Sequence, residues 1–96
     1  ADVREHAQML ESELAEYHRL RSATIRQRDV FLPLADEKVS LATADWRSGK
    51  GGIMDVVGAR RERIDAQLRL ISLEGEQRQV AARLHYTYAE HAGEQP

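Results

Sequence analysis

"WRSGKGGIMDVV", residues 46–57, decides the fold of this chain. Three glycines (Gly49, Gly51, Gly52) fall within four positions, between two long stretches almost devoid of turn residues. Gly49 can take the left-handed conformation that ends a helix, and Arg47 and Lys50 place positive charge at that carboxyl end. Gly52 can cap a following helix. Asp55 then falls at the third helical position, where a carboxylate meets amide groups that lack a partner and the positive end of the dipole. The turn over residues 49–52 is therefore short, and the segments on either side are expected to fold back antiparallel. A glycine-rich loop can also cradle phosphate, but "GKGG" has no strand before it and no Gly-Lys-Ser/Thr ending.

Upstream of the turn, a first helix is expected over about residues 2–48. Apolar or small residues recur at Val3, Ala7, Leu10, Leu14 and Tyr17, pass the polar Arg21, and resume at Ile25, Leu32, Ala35, Val39, Ala42 and Trp46. That is a helical period. The steps through Arg21, Ile25 and Arg28 add a four-residue stutter, which locally unwinds a left-handed supercoil. Pro33 lies inside this segment, where it removes one hydrogen bond and clashes with the preceding turn at about 3 kcal/mol. Either the helix bends at "FLPLA", or one helix ends near Phe31 and another starts with Pro33 in its first turn. The retained phase of the stripe favours a kinked, continuous helix.

Downstream, a second helix is expected over about residues 53–91. It carries one stripe of Val57, Ile64, Leu68, Ile71 and Ala82, and another of Ala66, Leu70, Leu73, Val80 and Leu84. A two-stranded coil needs one seam. Two seams imply apolar neighbours on two sides, as in a bundle or a closed ring of helices. The first arm hints at the same, since Val30, Leu34 and Leu41 run beside its main stripe, which includes Leu32 and Val39. A four-helix dimer of hairpins also needs a wide apolar face. Asp65–Arg69 and Glu74–Arg78 stand four apart with the acid first, the favourable orientation on a helix. Gly75 is a mid-helix cost of about 1 kcal/mol relative to Ala. Arms of about 40–45 residues span roughly 60–68 Å. A lone hairpin this thin buries little, so it is expected to need partners.

Composition agrees with an all-α chain. Of 96 residues, 31% are charged and 42% hydrophobic, with only 5% aromatic. Glu, Gln, Arg, Ala and Leu dominate, as in long helices. This length makes one domain at most. The net charge of −2 has no basic block that would suit nucleic acid. Cysteine is absent, which excludes a disulfide framework and a thiolate metal site. No apolar run approaches the roughly 20 residues of a membrane-spanning helix. The opening "ADVREHAQML" reads as mid-helix, so the chain is expected to be an excised fragment of a longer protein. No clustered acid–base set, nucleophile constellation or cofactor motif points to an enzyme.

The spacing around the turn resembles the second periplasmic hairpin of TolC-type outer-membrane efflux channels. It reads Trp46, Gly49, Asp55, Val56, Val57: an aromatic, a glycine three residues on, an aspartate six further, then two apolar residues. "ARRERIDAQLRLISLEGEQRQVAARLHY" resembles that family's returning helix. "LPLADEKVSLATADWRSGKGG" resembles its descending helix, with a proline thirteen residues before the aromatic. "GKG", "ARR" and the "AxLxY" ending are closest to the heavy-metal branch, the CzcC- or CusC-like partners of resistance-nodulation-division pumps. The likeness covers about residues 30–88.

The resemblance implies a trimeric duct whose β-strands, lying outside this segment, cross the outer membrane, while hairpins such as this one wall a periplasmic tunnel. The tip (Trp46, Gly49, Lys50, Gly51, Gly52, Asp55) would face a periplasmic adaptor and the inner-membrane pump. Metal cations would pass through the bore with no cofactor and no catalysis. Family members often carry Tyr, a latch at the closed entrance, where Trp46 stands; Trp46 has a ring N–H donor instead, and can equally anchor the tip with no gate. The aspartate matching Asp55 forms an acidic ring in some members, which attracts cations; Asp55 can also be only a helix-start residue. A second aspartate found in some members is Gly58 here, and a turn arginine is Gly51. A generic coiled-coil scaffold is the alternative function.

Four histidines, His6, His18, His85 and His91, raise a metal hypothesis. Antiparallel closure near residue 50 would bring His18 level with His85 and His6 level with His91, with Glu16 or Glu90 as oxygen donors. No two of them form an HxxxH pair on one helix face, and histidines on charged helices are usually solvated. No metal site is assigned. Leu14, Tyr17, Leu84, Tyr86 and Tyr88 are expected to form an aromatic patch at the open end.

Overall fold

The structure is a computed structural model that describes residues 3–93, with side chains over residues 3–90. The chain is all-helical over those residues and reverses direction once, as an antiparallel helical hairpin. The first arm comprises α1 (Val3–Arg26), a π-helical turn (Gln27–Phe31) and α2 (Leu32–Arg47). The second arm is one uninterrupted helix, α3 (Ile53–Gly93). Two compact units share these helices: residues 24–72 around the turn, and residues 1–23 with 73–96.

The inner face of α3 keeps strict heptad spacing. Val56, Ala59, Arg63, Ala66, Leu70, Leu73, Gln77, Val80, Leu84 and Thr87 are all buried or half-buried, in steps of three and four. This is the stripe expected from Ala66, Leu70, Leu73, Val80 and Leu84, extended to both ends. Such a strict repeat imposes a left-handed supercoil.

In the unit around the turn, the facing stripe of the first arm is Thr24, Gln27, Leu32, Ala35, Val39 and Ala42. Its steps are three, five, three, four and three. The five-residue step from Gln27 to Leu32 is one residue longer than a heptad allows. The π turn absorbs that residue: the amide of Leu32 reaches back to the carbonyl of Gln27, an i to i−5 bond. Arg26, Phe31 and Leu32 all keep right-handed helical dihedrals, so the arm runs through without a break. Pro33 follows directly in the first turn of α2, where its missing N–H is least costly. The π turn takes the place of the expected proline kink. It also corrects the inner stripe: Ile25 is exposed and Thr24 is buried in its stead.

This inner layer is mixed. Gln27 Nε2 donates to the carbonyl of Ala66 at 3.0 Å. Thr43 Oγ1 donates to the carbonyl of Val39 at 2.7 Å. Arg63 sits in the stripe with Nη1 3.8 Å from Asp36 Oδ1, while its Nε is buried with no acceptor. On the outer edge Lys38 Nζ lies 3.7 Å from Glu62 Oε2. The unit of residues 1–23 and 73–96 centres on Leu20, Leu73 and Val80, with Tyr17 and Ala23 packed against them. Arg83 reaches Glu16 there at 3.7 Å, and His6 reaches Glu90 at 3.9 Å. The pairs expected along α3, Asp65–Arg69 and Glu74–Arg78, are not among these ion pairs. Exposed charges one helical turn apart gain too little in water to be held in one rotamer.

Candidate functional site at the turn and its flanks

The turn is built by two interlocking caps. Gly49 has φ +82°, the left-handed region. Its amide donates to the carbonyl of Trp46 at 3.1 Å, and the amide of Lys50 donates to that of Asp45 at 2.8 Å. Together these bonds make a Schellman motif, which ends α2. Gly51 N–H and the Ser48 hydroxyl also donate to the Asp45 carbonyl, at 3.2 and 3.1 Å. A Cβ on Gly51 would stand 3.3 Å from that of Asp45, so a side chain there would crowd the closed turn.

The second cap starts α3. Asp55 Oδ2 accepts the Gly52 amide at 3.3 Å, and the Asp55 amide donates to the Gly52 carbonyl at 3.1 Å. This is the returning half of a capping box, with a carboxylate at the positive end of the helix. Asp55 thus has a structural task in the helix start, as one of the two readings of this residue holds.

Around this turn large apolar side chains are exposed among the charged Arg47, Lys50 and Asp55. Trp46, Ile53, Met54 and Val57 are exposed, with Met54 the most open at 72%. Ile53 and Met54 had no place in the expected tip. Their signal was present in the sequence: two large apolar residues in a first helical turn directly after glycines, where a solvated helix start would be polar.

The expected packing seams separate into two groups. Val39, Leu73 and Val80 are buried, and Leu32, Leu70 and Leu84 half-buried, all on the inner stripes. Val57, Ile64, Leu68 and Ile71 face outward, with Leu68 and Ile71 about 60% exposed (59% and 61%). Val30, Phe31, Leu34 and Leu41 of the first arm are likewise exposed. Among the described residues, six hydrophobic side chains are buried and seventeen large ones are exposed. The hairpin therefore keeps more of its large apolar groups outside than inside.

In the unit of residues 1–23 and 73–96, an open groove is lined by Leu10, Leu14, Tyr17, Ala81, Leu84, His85 and Tyr88. It contains most of the expected aromatic patch; Tyr86 points elsewhere, beside Met9 and Arg83. His18 stands edge-on to Tyr17, with ring centroids 5.9 Å apart. His6 faces Glu90, and the side chain of His91 lies outside those described. No group of three or more His, Asp or Glu gathers to hold a metal ion among the described residues. None of the described helices is long and apolar enough to cross a membrane.

No protein-family model, curated protein or solved structure matches this chain.

Proposed function

We propose that this chain is a wall element of a multi-helix periplasmic duct, the second hairpin of a TolC-type outer-membrane efflux channel. In that role it is a passive conduit for the export of metal cations by a tripartite pump. The apolar tip formed by Trp46, Ile53 and Met54, with Lys50 beside it, meets the periplasmic adaptor. The full protein is a trimer held in the outer membrane by strands outside this segment. One observation carries the reading: the excess of large apolar side chains on the outer flanks over those in the inner layer. Fully burying a Leu or Ile contributes about 1.5–3 kcal/mol. A hairpin with Ile64, Leu68 and Ile71 outside is stabilised most by neighbours on those flanks. The spacing of Trp46, Gly49 and Asp55 then selects the TolC-type duct among such assemblies.

A generic coiled-coil scaffold is the second reading, favoured by the unbroken three-and-four spacing of α3. Fractionation of the full-length protein in its own cell separates the two. A photo-crosslinker at Met54 is expected to capture a periplasmic adaptor, and the protein is expected in the outer-membrane fraction. Recovery away from the outer membrane, with no adaptor captured from Met54, would overturn the duct.

A further inference from the structure

The unit of residues 1–23 and 73–96 carries a carboxylate in a place that suits apolar side chains. The inner stripe of α1 runs His6, Leu10, Glu13, Tyr17 and Leu20 in steps of four and three, each buried or half-buried. Glu13 Oε2 is buried there and no donor reaches it. The basic side chains beside it are engaged elsewhere. Arg83 Nη2 lies 3.7 Å from Glu16 Oε1, and His6 Nε2 lies 3.9 Å from Glu90 Oε2. A buried charge is ordinarily paired, because desolvation without a counter-charge is costly. Glu13 therefore lacks the cation that its position calls for.

Glu13 lines a groove of about 440 Å³ between α1 and α3, on the edge that also carries Arg83. Met9, Ala82 and Tyr86 give the groove apolar and aromatic walls, and Met9 and Tyr86 are exposed. The buried Thr87 and the Glu90 carboxylate complete it on α3. That volume suits a small organic molecule. We propose that this groove binds a small aromatic ammonium ion, whose N–H groups donate to the Glu13 carboxylate while its ring lies on Met9, Ala82 and Tyr86. An ammonium group supplies both the missing positive charge and the missing donor, and charge-assisted hydrogen bonds are the strong ones. The face of Tyr86 attracts a cation, and the Met9 sulfur favours an aromatic ring. A bare metal ion fits less well: among the described residues no group of three or more His, Asp or Glu gathers to hold one. A neutral molecule leaves the Glu13 charge uncompensated. The groove shares no residue with the turn, so it is separate from the tip contact.

The chain holds two methionines, Met9 in this groove and Met54 at the turn, so one methyl group reports the site and the other is a control. The chain, carrying carbon-13 in its methionine methyl groups, is titrated at neutral pH with benzylamine, benzyl alcohol or zinc chloride and followed by NMR. Benzylamine is expected to shift the Met9 methyl saturably and to leave Met54 in place, with benzyl alcohol about tenfold weaker. Glu13→Gln, confirmed helical by circular dichroism, weakens benzylamine about tenfold. Tyr86→Leu, a change at an exposed side chain, weakens it about threefold. The site is overturned by any of four results: equal binding of alcohol and amine, a response to zinc but none to amine, Met9 and Met54 shifting together, or benzylamine bound as tightly by Glu13→Gln. Membrane fractionation reads the duct by a different measurement, so the amine site and the duct fail separately.

Discussion

The carboxylate of Asp55 accepts the backbone amide of Gly52 at 3.3 Å, so the residue that closes the turn also starts the returning helix. Loss of that acceptor leaves an amide at the helix start without its partner. Asp55→Ala is expected to lower stability by about 1 kcal/mol, read from urea melts followed by circular dichroism. An unchanged midpoint would show that water caps Gly52 equally well.

Gly49 and Gly58 are expected to respond to alanine in opposite directions. At φ +82° a Cβ is strained, so Gly49→Ala costs about 1–2 kcal/mol even with open space around it. Gly58 is helical, and nothing stands within 4 Å of its added Cβ. Gly58→Ala should therefore raise stability by about 0.5–1 kcal/mol. Melting both variants together checks the sign of each.

Leu73 and Leu68 are the same residue type on the same helix and differ only in where they point. Leu73 is 2% exposed and Leu68 is 59% exposed. Leu73→Ala is expected to cost about 2–5 kcal/mol of hairpin stability. Leu68→Glu should leave the helical content intact and shift sedimentation towards the monomer. A Leu68→Glu chain that still associates as the wild type does would mean that the outer stripe of α3 is not a contact.

Arg63 occupies an inner position with its Nε buried and lacking an acceptor. Replacing it with an apolar residue of similar length removes that defect. Arg63→Met is expected to stabilise the hairpin by roughly 1 kcal/mol, with the Asp36 carboxylate left to solvent. A fall in the denaturation midpoint would show that the ion pair outweighs the desolvation of the guanidinium.

The π turn is expected to survive Pro33→Ala and to vanish when one residue is deleted from 27–31. The five-residue step between Gln27 and Leu32 requires an extra residue whether or not proline follows. Backbone chemical shifts of the two variants distinguish these outcomes. A π turn lost in Pro33→Ala would make the proline, and not the heptad frame, its cause.

The turn and the stripe of α3 were legible because each rests on residues of one kind. Gly49 alone suits the left-handed end of α2, and Leu70, Leu73, Val80 and Leu84 repeat with unbroken spacing. The first arm was harder to read. Its inner stripe passes through Thr24 and Gln27, whose polarity hides them, while the exposed Ile25 suggested the wrong phase. A one-residue slip in register leaves no apolar signature of its own, so the π turn could not be seen. The tip is legible only in part, since glycine and charge mark Gly49, Lys50 and Asp55 while nothing of that kind marks the exposed Ile53 and Met54. Among the described residues no histidine joins a group of three or more side chains able to hold a metal ion.

The π turn has a further consequence for how such a rod can vary. A rigid α-helix that gains or loses one residue swings every later side chain to a new side, and the whole contact pattern is lost. Here a widened turn next to a proline already holds one surplus residue. Single-residue insertions and deletions in that short stretch can be taken up locally. Length variation at this one place thus leaves the side chains of α2 aimed as before while its helical backbone stays whole.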